Sequence, residues 1–541
     1  MAQDGSTRRP SQRKPAPPPP RQPHREPKVP DRQVLAQVSG RVLDPGTALQ
    51  VKGVSPMSTV YVGPRLTIAR SGDVDRQIER LQEVADELGW ELDTSHADRR
   101  VAKHRSRLGV VRVGIQVKDQ RAALAPDGWV LLQQARARFG LKAMKGVGLD
   151  HLVSLRPIDP NPIHIPDPIH IPDPIHIPDP IHIPDPSGAS LSAAVASYTR
   201  QGSGGRQPIA FVGPAPARRP QSAFKAHRRP VVAVLDTGCG DHPWLGSVVR
   251  HNVKLDGKPI GYVDDPSDPE KHPDQVGPLD GGIDEYAGHG TFICGLVHQA
   301  CPDADILAWR IVGSDGPIVE SNLVDALADI AELARRHRDG ERGGQAIDVL
   351  SLSIGYYHET PEDVLFDPTM YDILKQMGEC GVTVVCSAGN DATARPMFPA
   401  AFAPWSDKKG TVKTSKNVVP IVSVGALNPN GTDALFTNTG PWVRTYATGA
   451  SIVSTIPAFQ GGWEPMVRTS AFGRVRETED PDDYTGRFAV WSGTSFAAPL
   501  FAGRVAAALV GKLPARGKSE SASNAVARSW KAVSSLTDIK P

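Results

Sequence analysis

Residues 231–238 read Val-Val-Ala-Val-Leu-Asp-Thr-Gly, and this stretch decides the fold of the sequence around it. The run is short, apolar and rich in valine, which is typical of a strand buried on both faces of a parallel sheet. Asp236 then lies at the carboxyl end of its strand, the edge of an open α/β sheet at which ligands bind. The stretch therefore predicts a parallel α/β domain with a functional carboxylate at Asp236.

Three further motifs follow along the chain. His289 stands in Gly-His-Gly-Thr (288–291), ahead of an apolar run that predicts a buried helix with the imidazole in its first turn. Asn390 ends the sequence Ser-Ala-Gly-Asn (387–390). Ser495 lies in Gly-Thr-Ser-Phe-Ala-Ala-Pro (493–499), just before an Ala-rich run. This context predicts a hydroxyl at a helix N-terminus, where free N–H groups can face an anion.

These residue types fit nucleophilic hydrolysis of an acyl group. A serine hydroxyl needs an adjacent base at neutral pH, and a histidine can take its proton and return it. A carboxylate behind the imidazole fixes its tautomer, and pre-placed donors stabilise the oxyanion of the intermediate. We therefore assign Asp236, His289 and Ser495 as candidate catalytic residues. The side-chain amide of Asn390 and the backbone N–H of Ser495 are the candidate oxyanion donors.

Each motif alone has a simpler interpretation. Asp-Thr-Gly also marks aspartic peptidases, but these use two carboxylates that share a proton, and the triplet occurs once in this chain. Gly-His-Gly alone is more often a turn, and Gly-Thr-Ser alone is common. The combination of all four motifs in this order favours catalysis. The alternative that stays open is a catalytically silent protein of the same fold that binds without cutting.

With the motifs in this order, residues 228–513 resemble the subtilisin-like serine peptidases, or subtilases. The resemblance implies a three-layer α/β/α domain with a parallel sheet and a serine endopeptidase that acts on polypeptides. It also implies two small-residue walls of the primary specificity pocket, which would accept a sizeable apolar side chain. The implied substrate-binding residues are Ser353, Ile354, Gly355, Ser387, Ala388 and Gly389.

The chain departs from the family pattern at several positions. The stretch Asp264–Glu285 carries eight acidic residues, and a second excursion covers residues 459–488. Both could rim the cleft and alter specificity. Cys294 and Cys386 replace small residues. Calcium at the acidic stretch is possible because carboxylates suit this ion, but a solvated loop is the simpler interpretation. We expect no required cofactor and assign no metal ligand.

Residues 41–155 predict a small domain ahead of the peptidase-like region. Its elements follow the order β-α-β-β-α-β, which is typical of a ferredoxin-like α+β fold. Subtilase propeptides commonly have this shape, so this domain is expected to be an inhibitor of its own chain or a retained recognition module. The predicted elements are strands at 65–69, 90–92, 110–117 and 147–155 and helices at 73–88 and 126–139.

The remaining segments predict connections and tails. Residues 1–40 are rich in Pro, Arg and Lys and are expected to be disordered, either as a solubilising tail or as an arm for an SH3-like or acidic partner. Residues 156–227 are expected to be a linker, since Pro-Ile-His-Ile-Pro-Asp occurs four times from position 162. Proline at this density favours an extended spacer, although its histidines could bind a metal. The peptidase-like domain then covers residues 228–515, followed by a tail at 516–541.

Composition narrows the function classes. The net charge of +2 over 541 residues gives no general attraction to nucleic acid. No stretch approaches 18 apolar residues, and no apolar signal segment follows the N-terminus, so neither a membrane partner nor export is expected. The five cysteines have no paired spacing, which favours reduced thiols. We therefore expect a cytoplasmic protein.

Overall fold

The computed structural model of the protein covers most of the two predicted domains. The residues that it describes are 27, 29–30, 32–95, 108–119, 123–155, 195–276, 279, 281–314, 316–360, 369–406, 411–518 and 520–541. The repeated hexapeptides at 162–185, and the predicted metal-binding alternative for their histidines, lie outside the described residues. So does the N-terminal part of the predicted tail, up to residue 26.

The first domain is an antiparallel sheet covered by two helices. Its strands lie side by side in the order β5-β2-β4-β3, and β1 pairs with the early part of β2. Apolar residues of the helices pack on one face of this sheet, with Leu81 and Leu132 fully buried. The elements are α1 (Arg32–Gln37), β1 (Gly40–Leu43), β2 (Thr59–Ala69), α2 (Val74–Glu87), β3 (Trp90–Asp93), β4 (Val110–Val117), α3 (Gly128–Phe139) and β5 (Val147–Val153).

The second domain is built on a parallel sheet of seven strands. Their order is β16-β15-β12-β11-β7-β9-β8, and every pairing between them is parallel. The strand predicted from the opening stretch, β7, lies near the middle and is buried along its whole length. The strands of this sheet are β7 (Val231–Asp236), β8 (Val249–His251), β9 (Asp305–Arg310), β11 (Val349–Leu352), β12 (Thr383–Ser387), β15 (Val422–Leu427) and β16 (Thr445–Thr448).

Helices cover both faces of this sheet. Alternate residues of β7 face opposite layers: Leu235 packs in one hydrophobic cluster and Val234 in the other. The arrangement is the three-layer α/β/α domain that the sequence predicts. Its helices are α4 (His289–Ala300), α5 (Glu320–Arg338), α6 (Thr369–Glu379), α7 (Thr494–Leu509) and α8 (Ala522–Leu536).

Short strands complete the second domain. The predicted excursion at 459–488 contains a two-stranded hairpin, β18–β19, and the strand β20 that follows it pairs with β17 and β6. These short strands are β6 (Gln207–Pro208), β10 (Ile318–Val319), β13 (Trp405–Ser406), β14 (Thr411–Val412), β17 (Ile452–Thr455), β18 (Arg468–Ala471), β19 (Arg474–Glu477) and β20 (Phe488–Trp491).

Three segments that composition assigns to tails or linker are folded. Residues 32–40 form α1 and the start of β1, because Leu35 and Val38 pack against a small apolar cluster at the junction of the two domains. Within the predicted linker, residues 195–227 pack on the second domain, where Val195 is fully buried. The predicted C-terminal tail contains α8, whose apolar face is buried in the core of the second domain.

The two domains share a sheet edge. Strand β10 of the second domain pairs with β5, so the sheet of the first domain continues across the junction. Asp150 of β5 accepts hydrogen bonds from the backbone N–H and the hydroxyl of Ser321, at 3.0 and 2.9 Å. Arg112 of β4 donates to Ser321 and Asp325, at 2.7 and 3.0 Å. These contacts fix the end of β5 over the second domain. Within the described residues, no helix is long and apolar enough to cross a membrane.

Candidate active site

Asp236 is the last residue of β7 and is completely buried. Its Oδ1 accepts the backbone N–H of Thr237 at 2.8 Å and lies 2.6 Å from Nδ1 of His289. An ionised carboxylate here accepts the Nδ1 proton, so the other ring nitrogen, Nε2, is left as a proton acceptor. The structure therefore joins the first two predicted catalytic groups.

His289 is the first residue of α4, as the apolar run after it predicts. Gly288 precedes the helix with a φ of +79°, a left-handed conformation that glycine adopts without strain. At Gly290 a Cβ atom would lie 2.1 Å from the carbonyl oxygen of Gly238, so this position needs glycine for the close approach of the two motifs. The imidazole packs against Trp491 and Phe496, with ring centroids 5.7 and 5.3 Å away.

Ser495 is the second residue of α7 and is 3% exposed. It lines the same cavity as His289, a cleft of about 750 Å³. Its Oγ lies 3.4 Å from the carbonyl oxygens of Ser353 and Leu155. The nucleophile candidate thus faces a backbone carbonyl group of the first domain across the cleft.

Asn390 lies beyond the end of β12 and lines the same cleft. Its Oδ1 accepts hydrogen bonds from the backbone N–H and the hydroxyl of Thr494, both at 2.8 Å. Because the amide oxygen is held by these donors, the orientation of the NH₂ group is fixed as well. This geometry suits an oxyanion donor beside Ser495.

The two predicted pocket walls follow adjacent strands. Ser353, Ile354 and Gly355 come directly after β11, and the hydroxyl of Ser353 donates to the carbonyl oxygen of Ser495 at 2.9 Å. Ser387, the last residue of β12, is followed by Ala388 and Gly389, and Gly389 donates its N–H to Thr494 at 3.0 Å. Parallel strands end at one sheet edge, so both segments lie beside the serine.

Met397 occupies the space between these walls, which sequence reasoning does not predict. A Cβ atom on Gly355 would lie 2.6 Å from its Cε, and one on Gly389 would lie 2.6 Å from its Sδ. The side chain is 1% exposed. The small-residue walls alone favour a large substrate side chain, whereas this thioether reduces the depth that is available.

The end of β5 lies in the cleft as an additional strand. Ser154 exchanges two backbone hydrogen bonds with Gly355, at 3.1 and 2.9 Å, in an antiparallel bridge. Leu155, the next residue, lines the cavity next to Ser495. The first domain therefore covers one wall of the predicted specificity pocket in the way an extended peptide pairs with a sheet edge.

The chain returns to the same cleft after a gap in the described residues. Tyr198 and Arg206 also line this cleft. The Arg206 guanidinium stands 4.9 Å from the ring of Trp491 and donates to the carbonyl oxygens of Ile283 and Asp284. Residues 156–194 connect the two points where the chain contacts the cleft.

Both predicted insertions contribute to the cleft. Ile283 and Glu285 line it from the acidic stretch, and Trp463 and Tyr484 line it from the 459–488 excursion. Glu270, an acid of the stretch Asp264–Glu285, is not solvated. It is 4% exposed and lies next to the Asp236 and His289 motifs. Neither its burial nor its partners can be predicted from an acidic composition.

Three of the five cysteines, Cys294, Cys301 and Cys386, are buried, and Cys239 and Cys380 are half-buried. Cys294 and Cys386 are fully buried, and burial raises the pKa of the Cys386 thiol. Contact with Cys239, together with burial, raises the pKa of the Cys294 thiol. All five cysteines have free thiols.

One group among the described residues has a spacing that could suit a metal ion. Ligand atoms of His151, His358 and Glu359 all lie within 4.8 Å of one another. Both ring nitrogens of His151 already lie within hydrogen-bonding distance of carboxylates, at 2.6 Å from Glu320 and 2.8 Å from Glu359. An ion-pair network between the domains accounts for this cluster.

The family comparison matches the second domain. The sequence model described as the subtilase family matches residues 227–533. The chain is 26% identical over 290 residues to an intracellular serine protease of Paenibacillus polymyxa, covering 51% of this chain and 65% of that protein. It is 25% identical over 242 residues to the major intracellular serine protease of Bacillus subtilis (strain 168), covering 42% and 60%. The chain thus spans less than two thirds of the length of these relatives.

Among solved structures, one similar protein is fervidolysin from Fervidobacterium pennivorans, a keratinolytic enzyme related to subtilisin. It is 19% identical, with a TM-score of 0.41 and coverage of 85% of this chain and 56% of that one. A lanthipeptide protease is also 19% identical, with a TM-score of 0.36 and coverage of 56% and 80%.

Proposed function

Because the chain belongs to the subtilase family, we propose that it is a serine endopeptidase whose catalytic residues are Asp236, His289 and Ser495. The observation that carries this proposal is the 2.6 Å contact between the buried Asp236 and His289, which lines the same cleft as Ser495. Membership of the subtilase family supports peptide-bond hydrolysis, and the hydrogen bond to Asp236 orients His289 as the base that a serine nucleophile requires.

In the proposed reaction, Oγ of Ser495 forms a bond to the scissile carbonyl carbon while Nε2 of His289 takes the hydroxyl proton. The oxyanion accepts hydrogen bonds from the Asn390 amide and the Ser495 N–H. His289 then gives its proton to the leaving amine as the C–N bond breaks, and a water molecule hydrolyses the acyl-enzyme by the reverse sequence. These steps require no cofactor.

A fluorophosphonate probe tests this proposal, since it reacts with activated serines. We expect the full chain to be labelled and Ser495→Ala to be unlabelled. Ser492→Ala is the matched control, because Ser492 also lines the cleft but precedes the helix, and it should be labelled. Absence of labelling in the wild type under all conditions would favour a silent binding protein of this fold. Equal labelling of Ser495→Ala would reject Ser495 as the nucleophile.

We also propose that the first domain inhibits its own peptidase domain. The support is the antiparallel pairing of Ser154 with Gly355 and the contact between the Leu155 carbonyl and Ser495, which together exclude a substrate from that wall. Ser154→Pro removes the N–H that bonds to Gly355, so we expect faster hydrolysis of a short peptide substrate. Ser154→Ala keeps this N–H and serves as its control. Unchanged hydrolysis in the proline variant would contradict the inhibition.

Intact mass distinguishes a removable inhibitor from a retained module. Cleavage between residues 155 and 195 in the wild type, absent in Ser495→Ala, is the result expected for a first domain that is removed by the chain's own activity. A stable full-length and active enzyme would instead favour retention as a recognition module.

We also propose that the protein acts inside the cell. It draws on the two relatives that are named as intracellular and on the five free thiols, which suit a reducing compartment. Cell fractionation with a periplasmic or secreted marker would test it.

A further inference from the structure

Glu270 is a buried carboxyl group whose hydrogen-bond partners are the immediate neighbours of Asp236 and His289 in the chain. It belongs to the acidic stretch between β8 and α4, yet its side chain is turned into the protein and is 4% exposed. Other acids of the stretch, such as Asp265, are exposed. Burying a carboxyl group is costly unless it is hydrogen-bonded, so its partners indicate what the burial accomplishes.

The partners of Glu270 belong to the two catalytic motifs. Its Oε1 accepts the hydroxyl of Thr237 at 2.5 Å and the backbone N–H of Gly290 at 2.9 Å. Its Oε2 accepts the hydroxyl of Thr291. One carboxyl group thus joins the residue that follows Asp236 to the two residues that follow His289.

These contacts extend to the catalytic pair through the backbone. Thr237 donates its backbone N–H to Oδ1 of Asp236 at 2.8 Å. The same oxygen lies 2.6 Å from Nδ1 of His289. Gly290 also donates to the Thr237 hydroxyl at 2.7 Å. A displacement of Glu270 would therefore shift the end of β7 and the first turn of α4 relative to each other.

Charged and titratable groups surround Glu270 from each element that packs against it. Asp236 lies at the end of β7, Asp268 in its own loop and Cys294 on α4, with Cys239 beside it. Arg310 of β9 holds the same loop by bonding Asp264 and Ser267. Burial raises the pKa of Glu270 to about 7, although hydrogen bonds from Thr237 and Thr291 act to lower it.

We propose that Glu270 is a positioning residue for the proposed peptidase reaction, whose ionised carboxylate holds Asp236 and His289 in register. The inference rests on the proposed function and concerns the same site. Loss of the proton leaves Glu270 as an acceptor only, which matches its donors: two threonine hydroxyls and backbone N–H groups of the first turn of α4. Protonation turns one carboxyl oxygen into a donor, so one of the threonine hydroxyls that now donate to Glu270 would have to reorient.

The predicted consequence is a conflict between stability and activity. The pKa of Glu270 is about 4.5 in the unfolded chain and about 7 in the folded protein. As pH rises between these two values, ionisation of this carboxyl group lowers the free energy of unfolding. Glu270→Gln removes that ionisation. We therefore expect this variant to be at least as stable as the wild type at pH 8 but less active.

The test measures the second-order rate constant of fluorophosphonate labelling of the full chain from pH 5.5 to 9. At pH 8, Glu270→Gln should be labelled at least about tenfold more slowly than the wild type, because small misplacements of reacting groups have effects of this order. The ratio of the wild-type rate constant to that of Glu270→Gln should shrink below pH 7, where the Glu270 carboxyl group of the wild type is protonated. Glu270→Asp keeps the charge and should be intermediate. Asp265→Asn alters an exposed acid of the same loop and should match the wild type.

Two results would overturn the proposal while the wild type is labelled: Glu270→Gln within twofold of the wild type at pH 8, or a ratio that stays constant over the whole pH range. A constant ratio would indicate a purely structural role. The guanidinium chloride midpoint at pH 8 distinguishes a further case, since a lower midpoint for Glu270→Gln would attribute its slow labelling to unfolding and also overturn the proposal. If neither the wild type nor Ser154→Pro, which loses the hydrogen bond from Ser154 to Gly355, is labelled, the proposed peptidase function fails instead.

Discussion

Nδ1 of His151, in the first domain, lies 2.6 Å from Oε2 of Glu320, the first residue of α5 in the second domain. Its other ring nitrogen lies 2.8 Å from Glu359. Burial alone would lower the pKa of His151, but these two carboxylates raise it well above 6.5. The imidazolium is therefore a buried charge that joins the domains close to the cleft.

Removing this imidazolium should release the first domain from the cleft. His151→Ala removes the cation that Glu320 and Glu359 share, although His358 still lies 3.3 Å from Glu359; breaking a buried ion pair typically costs about 3–5 kcal/mol. We expect faster hydrolysis of a short peptide by His151→Ala than by the wild type. Lys118→Ala, which removes an exposed ion pair within the first domain, should have no effect.

The same network predicts a pH window for domain contact. Because the pKa of His151 is raised, its contribution is complete below about 6.5 and is lost as pH rises through the raised value. Although burial would raise the pKa of Glu359, the neighbouring His358 and His151 hold it below its usual range, so its contribution is lost only at strongly acidic pH. Hydrolysis by the wild type should therefore accelerate at alkaline pH more than hydrolysis by His151→Ala. If the pH profiles of hydrolysis by the wild type and by His151→Ala were parallel, the proposed role of His151 in holding the first domain would be contradicted.

A further prediction concerns substrate choice. Met397 fills the space between the walls formed around Gly355 and Gly389, so we expect a preference for small side chains before the scissile bond. Met397→Ala should raise kcat/KM for a phenylalanine substrate relative to an alanine substrate by about tenfold or more, the scale of a pocket enlarged by a few carbon atoms. Met377→Ala changes another buried methionine, on α6, and should leave the ratio unchanged. An unchanged ratio in Met397→Ala would show that the pocket lies elsewhere.

The sequence predicts the site where local chemistry and local structure coincide. Asp236, His289 and Ser495 each stand at the end of a buried strand or the start of a buried helix, and such transitions are visible as a change from an apolar run to glycine-flanked polar residues. Glu270 and His151 have no such mark. Their roles depend on which groups from distant parts of the chain surround them, and composition cannot supply that information.

Composition also fails to predict the structure of segments outside the parallel sheet. Residues 195–208 look like linker because they are rich in Gly and Ser, yet β6 pairs with β20 and the Arg206 side chain binds three carbonyl groups. The C-terminal helix α8 did carry a signal, since Val526, Trp530 and Val533 recur at helical spacing. Charged and polar flanks conceal this pattern when the segment is judged by composition alone.

Another prediction follows from the packing of α8. Trp530 is 4% exposed, and its Nε1 donates to the carbonyl oxygen of Ser415 at 3.1 Å. Trp530→Ala should lower the free energy of unfolding by about 3 kcal/mol or more, as expected for loss of a buried aromatic side chain. Guanidinium chloride titration in a Ser495→Ala background avoids self-digestion. Lys531→Ala, on the exposed face of the helix, should stay within about 0.5 kcal/mol of its parent. A similarly small change for Trp530→Ala would mean that α8 is dispensable for the fold.

The last prediction separates oxyanion stabilisation from substrate binding. Thr494 holds the Asn390 amide oxygen with two hydrogen bonds of 2.8 Å, so the NH₂ group needs no reorientation when negative charge develops beside Ser495. Asn390→Ala should lower kcat by about 10²–10³ with little change in KM, because the donor acts mainly on the transition state. Thr494→Val keeps the N–H bond but removes the hydroxyl bond, so its loss in kcat should be smaller. Kinetics with a short peptide ester would measure both variants. A rise in KM with unchanged kcat in Asn390→Ala would assign Asn390 to ground-state binding and leave the oxyanion without its proposed side-chain donor.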